Sequence, residues 1–520
     1  MENKDYSLIN FCIEENNKSN LFSAEGKDKV EYPLDNEIII LLSKIMELMK
    51  ESKNDYEIFK YPDLLNKLWK SLIEKAIKCL RYFDDREPFL KIQDKKPSAY
   101  GVDKLYDYYM NYTEYERILY GSSKNYRDHV VHVFRTWLSG SYCLIRNNGD
   151  YMQSIIIDKD IKNLNNYEKF SIWTIIALTH DLGYPLEKAK EIIETTKKMV
   201  STFIANPDIS MDLTFHGVQN HINDFIVRLM SSKMIKHSNE GSKPYYTRLQ
   251  PKYYFKFQKS LEKNEHGIIS ALIIYKLLTY FLESDYNINE DYSFNNDESR
   301  QFYIRREILR SIASHTCKDV YHLYMGSFAF LLIIADDTQE WGRKRLSELY
   351  VESDNEYELL ELNLICSNEK NNKCVIKEKF SIKDKIDVSS VKNLLLKLHK
   401  QALKYIMLFR DGQETDQRNF SFIKYFNLVC DIIHENINAI IAMELTLDIN
   451  NNKQSSFDGK ITFANESDIN KTFDEKFFKD LFSKPEEKEH VFWELEEVTN
   501  NEKDDHKKWK SGTIIFPLVY

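Results

Sequence analysis

ALTHDLGYPLEK (177–188) follows directly on the apolar run SIWTIIAL (171–178), with which it overlaps, and ends it in a histidine, an aspartate and two helix breakers. The run reads as a buried helix that stops near Thr179. Gly183 allows the chain to turn sharply, and Pro185 pushes Tyr184 out of helical geometry. The tip of an apolar helix thus presents His180 and Asp181 from a rigid support. An imidazole nitrogen and a carboxylate oxygen there can reach one cation, and the second carboxylate oxygen can reach another.

Four other segments repeat this pattern of polar ligand-type groups on apolar helices. YRDHVVHVFRTWLSG (126–140) carries His129 and His132 on one helical face. KNEHGIISALIIYKLL (263–278) places His266 in the first turn of an apolar helix, and REILRSIASHTC (306–317) places His315 near the end of another. FAFLLIIADDTQEWGR (328–343) ends a very apolar helix in Asp336 and Asp337. Nine of the 13 histidines lie between His129 and His322. Carboxylates left unpaired on such helices cost several kcal/mol or shift their pKa, and a bound divalent cation removes that cost.

Composition limits what surrounds these segments. At 520 residues the chain exceeds the roughly 250–300 at which single cores stop growing. With 42% hydrophobic residues, 14 Gly and 10 Pro, it has the composition of a folded protein rich in long helices. The net charge of −9 lacks the basic excess of proteins that hold extended nucleic acid, which favours a small-molecule substrate. The seven cysteines form no CxxC pair, so a thiolate zinc site is not expected, and free thiols in a reducing cytosol are. MENKDYSLINFC is too polar for a signal peptide, and no apolar run approaches the roughly 20 residues of a membrane span, so the expected location is cytoplasmic.

The expected fold class is mainly α, a helical core with a C-terminal α+β domain. Residues 1–104 read as an N-terminal helical region, its first 35 residues polar and only partly ordered, with helical patterning at 37–49 and 64–83 and a linker or long loop at 84–101. Residues 105–350 read as the core, interrupted by polar breaks at 237–254 and 283–299 that would form a lid or a surface excursion. From 351 to 520 the pattern changes: strands at 359–367, 374–382, 443–449 and 460–464, with helices at 389–411 and 422–438.

The ordered set His129, His180–Asp181 and Asp336, in the contexts RDHVVHV, ALTHDLG and LLIIADDTQ, resembles the HD-domain superfamily of metal-dependent phosphohydrolases. The resemblance covers about residues 115–345. It implies His129, His180, Asp181 and Asp336 as ligands, with His132 and Asp337 as alternatives for the first and last of these. His266 and His315 look like the extra pair of family members that hold two metals, with Asp181 as the bridge. It implies one or two Mn, Mg, Fe, Ni or Zn ions, which polarise a phosphoryl oxygen and activate water. Asp181, His132 and His216 are then the candidate catalytic groups, with His221 as the alternative to His216. Lys188, Arg127 and Arg343 are candidate phosphate ligands.

By the same resemblance the substrate is a nucleotide, a deoxynucleoside triphosphate first, a cyclic or oligonucleotide messenger second; a nucleotide sensor without turnover is the third reading. Tyr184 stands where triphosphohydrolases of the family carry a histidine, which puts their usual proton donor in doubt. A regulatory nucleotide, a homo-oligomer and a role in nucleotide-pool control or antiviral defence are further expectations from the resemblance.

Overall fold

A computed structural model describes residues 4–18, 21–22, 30–51, 62–84, 101–122, 129–155, 164–202, 218–237, 244–284, 288, 292–317, 326–338, 357–367, 373–382, 394, 401, 425–434, 437–448, 457–463, 492–498 and 509–516. The chain divides into two compact units, one of residues 1–322 and 326–346, the other of 323–325 and 347–520. Among the described residues no helix is long and apolar enough to cross a membrane.

The first unit is mainly helical, as expected. In chain order it contains α1 (Lys4–Lys18), α2 (Asn36–Glu51), α3 (Pro62–Phe83), α4 (Val102–Ser122), α5 (Val130–Ser154), α6 (Asn166–Thr179), α7 (Tyr184–Val200) and α8 (Val218–Ser231). A three-stranded sheet of β1 (Ser232–Lys236), β2 (Tyr245–Leu249) and β3 (Ser293–Phe294) is interleaved with α9 (Pro251–Glu262), α10 (His266–Leu277), the single turn α11 (Thr279–Leu282) and α12 (Asn296–Ser314); α13 (Phe328–Thr338) follows.

Helix α6 is the axis of this unit. Every residue from Tyr167 to Thr179 is buried, so the apolar run has no solvent face, and α3, α5, α12 and α13 pack around it. Its start is fixed by a capping box, in which Asn165 and Glu168 satisfy each other's backbone N–H groups. Indole N–H groups tie the neighbours together: Trp173 Nε1 donates to Trp137 O (3.2 Å) and Trp137 Nε1 to Thr174 Oγ1 (3.1 Å). Trp69 Nε1 donates to Leu178 O (3.0 Å) while its ring stacks on Tyr109 (4.1 Å). Gly140 lets α5 approach α6 so closely that a Cβ there would lie 1.9 Å from Trp173 Cζ2.

Buried charge is paired across distant segments. Arg305 bonds Asp84 (3.3 Å) and Tyr280 O (3.0 Å), and Arg300 bridges Asp84 and Glu168. Within 1–35, helix α1 is firmly anchored: Asp5, fully buried, takes three hydrogen bonds from Arg135 of α5 (2.7–3.0 Å), and Ile9 and Cys12 are buried, while residues 1–3, 19–20 and 23–29 lie outside the described residues. Polar composition concealed this because the anchoring carboxylate counts as polar. The break at 237–254 is likewise not an open excursion; β2 and the start of α9 occupy most of its described part, with β2 paired to β1 in register Met234↔Thr247. Of the stretch 84–101, only Asp84 and Gly101 lie within the described residues.

The second unit contains a seven-stranded sheet formed by β4 (Tyr357–Ser367), β5 (Lys373–Ile382), β6 (Tyr425–His434), β7 (Ile437–Asp448), β8 (Phe457–Phe463), β9 (Phe492–Val498) and β10 (Trp509–Phe516), in the order β4-β5-β6-β7-β8-β10-β9. All four expected strands are present, and Met443 pairs with Ile461. The expected helix at 422–438 is instead β6 and the start of β7. Segment 425–434 is a central strand, parallel to β5 on one side and antiparallel to β7 on the other. Phe426, Leu428, Cys430 and Ile432 are buried on one face, but Tyr425, Val429 and Ile433 on the other are apolar too, so the sequence reads as a nearly continuous apolar run that mimics a helix. The parallel β5–β6 pair requires a crossover, within which Leu394 and Gln401 are helical; the rest of 389–411 lies outside the described residues.

Asp5→Ala would leave the Arg135 guanidinium buried without its carboxylate. Loss of about 3–5 kcal/mol of stability in a denaturant melt is the expected outcome, and an unchanged midpoint would show that α1 is not an integral part of the unit.

Candidate metal centre

The chain turns at the end of α6 and re-enters a helix at once. His180 caps α6 in αR geometry and α7 starts at Tyr184, with Pro185 in its first turn, where a missing N–H costs nothing. This corrects the expected break at Tyr184. Gly183 also has ordinary helical angles (φ −80°, ψ −11°). Its glycine is required for close approach: a Cβ would lie 2.4 Å from His266 O, at the start of α10. Ser270 Oγ accepts the Gly183 N–H (2.8 Å) and Tyr108 Oη donates to Leu182 O (2.8 Å), so the elbow is held from two sides.

Asp181 stands between two groups of histidines. Its Oδ2 faces His132 Nε2 (3.5 Å), His180 Nε2 (3.5 Å) and, farther out, His129 Nε2 (3.9 Å). Asp336 Oδ1 completes this side, 2.8 Å from His132 Nε2 and 3.8 Å from His180 Nε2. Asp181 Oδ1 faces His266 Nε2 (3.3 Å) and His315 Nε2 (3.6 Å), which are 3.1 Å from each other. Nitrogen and oxygen ligands at about 2.1 Å from one ion lie roughly 3.0–3.5 Å apart, so both groups have the spacing of a ligand shell. The buried histidine and aspartate groups could hold a metal ion as two sets sharing Asp181: His132, His180 and Asp181, and Asp181, His266 and His315.

Proton accounting gives the same answer. His180 Nδ1 lies 2.8 Å from Ala177 O, and His315 Nδ1 2.5 Å from Ile312 O. Carbonyls only accept, so both rings carry hydrogen on Nδ1 and turn Nε2 towards carboxylate oxygen. Buried His180 Nε2 has no hydrogen-bond partner. A nitrogen and a carboxylate oxygen at this spacing need a proton or a metal cation between them, and Asp181 and Asp336 accordingly raise the His180 pKa against the effect of burial. His266 Nδ1 contacts Glu187 Oε2 (2.7 Å), the carboxylate–histidine arrangement that fixes the tautomer of a metal ligand.

The titration of the cluster follows from its charges. Burial raises the Asp181 carboxyl, but His180, His266 and His315 outweigh it and hold it well below the ordinary range. Burial acts on Asp336 in the same sense, and hydrogen bonds from His132 and His180 bring it well below. His266 loses basicity by burial yet is lifted to about 10 by Asp181 and Glu187. His315 is lowered, by burial first and despite its bond to Asp181, and stays neutral.

Asp336, His180, Asp181, His266 and His315 therefore converge as the sequence suggested. Of the two histidines on α5, it is His132, the alternative to His129, that lies closer to the carboxylates. His132 makes the short contacts to both carboxylates, whereas the backbone N–H of His129 is captured by Glu116 (2.5 Å) and its ring lies against Tyr184 (3.9 Å). The Asp336 carboxylate reaches His132 and His180. Lys188 extends over the Tyr184 ring (5.3 Å) beside Glu187. His221 is exposed on α8, and Arg127, His216 and Arg343 lie outside the described residues. Sequence reasoning missed Glu187, Glu116, Ser270 and Tyr108. Glu187 stands in the decisive stretch itself, but its partner His266 is 79 residues away and no local pattern links them.

After desalting, the wild-type chain is expected to retain a divalent ion by elemental analysis and Asp181→Ala to lose it, while Glu187→Gln weakens affinity by roughly 10–100-fold; equal metal content in all three would refute the centre. A metal ligand must be a neutral imidazole, and His266 keeps its proton up to about 10. Metal affinity on that side should therefore rise about tenfold per pH unit below this value, with a proton released on binding. Calorimetry in two buffers of different ionisation enthalpy measures that release, and its absence would contradict the assignment. No protein-family model, curated protein or solved structure matches the chain.

Proposed function

We propose that the chain is an HD-type metal-dependent phosphohydrolase acting on a nucleotide, with a deoxynucleoside triphosphate as the leading substrate. The observation that carries this reading is Asp181, its two oxygens each turned to a separate group of histidines. When bound, a divalent ion there supplies Lewis-acid polarisation of a phosphoryl oxygen and an acidified water.

The chain's own residues supply the remainder. Glu187 orients His266, and Ala177 O and Ile312 O orient His180 and His315, so the ring nitrogens meet the substrate side already aligned. His129, rather than His132, is then the candidate proton donor. Its Nε2 lies at the edge of the cluster, 3.9 Å from Asp181, and its ring is braced by Tyr184, the residue that replaces the donor histidine of the triphosphohydrolases. Lys188 lies one residue from Glu187 and is the described candidate for neutralising phosphate.

Hydrolysis of a cyclic or oligonucleotide phosphodiester is the second reading, favoured by the pairing of His129 and His132 on the same Asp181 oxygen. A nucleotide sensor without turnover is the third.

Incubation with Mn and a panel of deoxynucleoside triphosphates and cyclic nucleotides, followed by anion-exchange separation, tests all three. Release of tripolyphosphate is expected, falling to background in Asp181→Ala. Opening of a cyclic diester would transfer the assignment to the second reading; tight binding with no product from any substrate would end the enzyme reading and leave the third.

A further inference from the structure

Helix α12 carries two arginines that the metal centre does not use. Arg306 and Arg310 are one helical turn apart, about 40° around the axis, and so share a face. His315 lies nine residues beyond Arg306, about 180° around, on the opposite face. The arginines point instead towards β1 and α9: Arg306 Nη1 donates to Ser232 O (3.3 Å), and Arg310 lies over the ring of Tyr253 (4.4 Å).

Both arginines are more than nine-tenths buried, at 8% exposure each, and the Nε of each has no hydrogen-bond partner among the described residues. Phe302 and Tyr303 face Arg306 at 5.8 and 4.9 Å, which holds the guanidinium without neutralising it. Among the described residues one carboxylate is near, Glu307, 3.9 Å from Arg306 Nη2 and accepting from Ser311 Oγ (3.4 Å). Two buried cations therefore share one distant counter-charge. The strain shows in Arg310, which burial first and Arg306 second push down to about 10. An arginine does not resolve such a conflict by losing its proton; it takes an anion. Elsewhere on the same helix Arg300 and Arg305 are matched with Asp84 and Glu168, so the imbalance is local to this face.

We propose that Arg306 and Arg310, with Tyr253 at the edge, form a phosphate-binding site separate from the metal centre. Two guanidinium forks with free Nε–H groups fit the bidentate geometry of a tetrahedral oxyanion. Tyr253, partly exposed, stands over Arg310 at the edge of the pair. The phosphate belongs either to a nucleotide or to free inorganic phosphate, and the affinities distinguish the two. The inference does not depend on the proposed phosphohydrolase activity.

The full-length chain in EDTA, titrated calorimetrically with inorganic pyrophosphate, phosphate and AMP, provides the test. Pyrophosphate is expected to bind wild type and raise its Tm. Arg310→Met should weaken binding at least about tenfold while leaving the ligand-free Tm equal or higher, because a like-charge contact is gone; Arg306→Gln should weaken it similarly, and Asp181→Ala not at all. AMP binding tighter than phosphate assigns the site to a nucleotide, and equal affinity assigns it to free phosphate. Failure of wild type to bind pyrophosphate overturns the proposal. So does wild-type affinity in both arginine variants, or loss of binding in Asp181→Ala.

Discussion

The carboxylate of Asp181 is the constraint on which the first unit depends. It is 5% exposed, at the end of a helix with no solvent face, and five imidazoles surround it. Such a group is tolerable only if its two oxygens are both engaged, and everything nearby is arranged to engage them. Helix α6 cannot slide because Trp69 holds Leu178 O. The elbow cannot open because Ser270 and Tyr108 hold Gly183 and Leu182. The start of α10 cannot retreat because Glu187 grips both the backbone N–H and the ring of His266. The result is a set of nitrogen donors fixed before any cation arrives, so ligand ordering does not have to be subtracted from binding.

The same stretch explains why the core is so apolar. Orientation of the ligands comes from backbone carbonyls in the last turn of α6 and α12, Ala177 O and Ile312 O, which are free to accept because helix ends leave their final carbonyls unsatisfied. A histidine placed there satisfies one such carbonyl and exposes its other nitrogen. An apolar helix body excludes the water that would otherwise compete for both. Ligand, cap and support are thus one local device used twice, once at His180 and once at His315.

Much of this was legible in the sequence, because it depends on local patterning. An apolar run that stops in His–Asp, and another that stops in Asp–Asp, name their own helices and ligands. The helical class and the four alternating strands were legible for the same reason. The choice between His129 and His132 was not, since it is made by Glu116, thirteen residues upstream, which captures the His129 N–H. Nor was the burial of α1, which rests on one pair, Asp5 and Arg135, 130 residues apart. The strand at 425–434 reads as helical because apolar Tyr425, Val429 and Ile433 stand on the less buried face, opposite Phe426, Leu428, Cys430 and Ile432, and mask the alternation of burial. In the first two cases the missing information was a partner distant in the chain.

Helix α12 joins these themes, because its faces do different electrostatic work on one rigid rod. Arg305 is fixed by Asp84 and Tyr280 O, which sets the rotation of the helix about its axis. With that rotation set, His315 must face His266 and Asp181, and Arg306 and Arg310 must face β1 and α9. A cation at the helix end and an anion against the arginines would each remove a local excess of charge, negative at Asp181 and Asp336, positive at the guanidinium pair. Both would do so without turning the helix. The two sites are therefore bound together by position, and any shift of α12 that improves one arrangement displaces the groups that make the other.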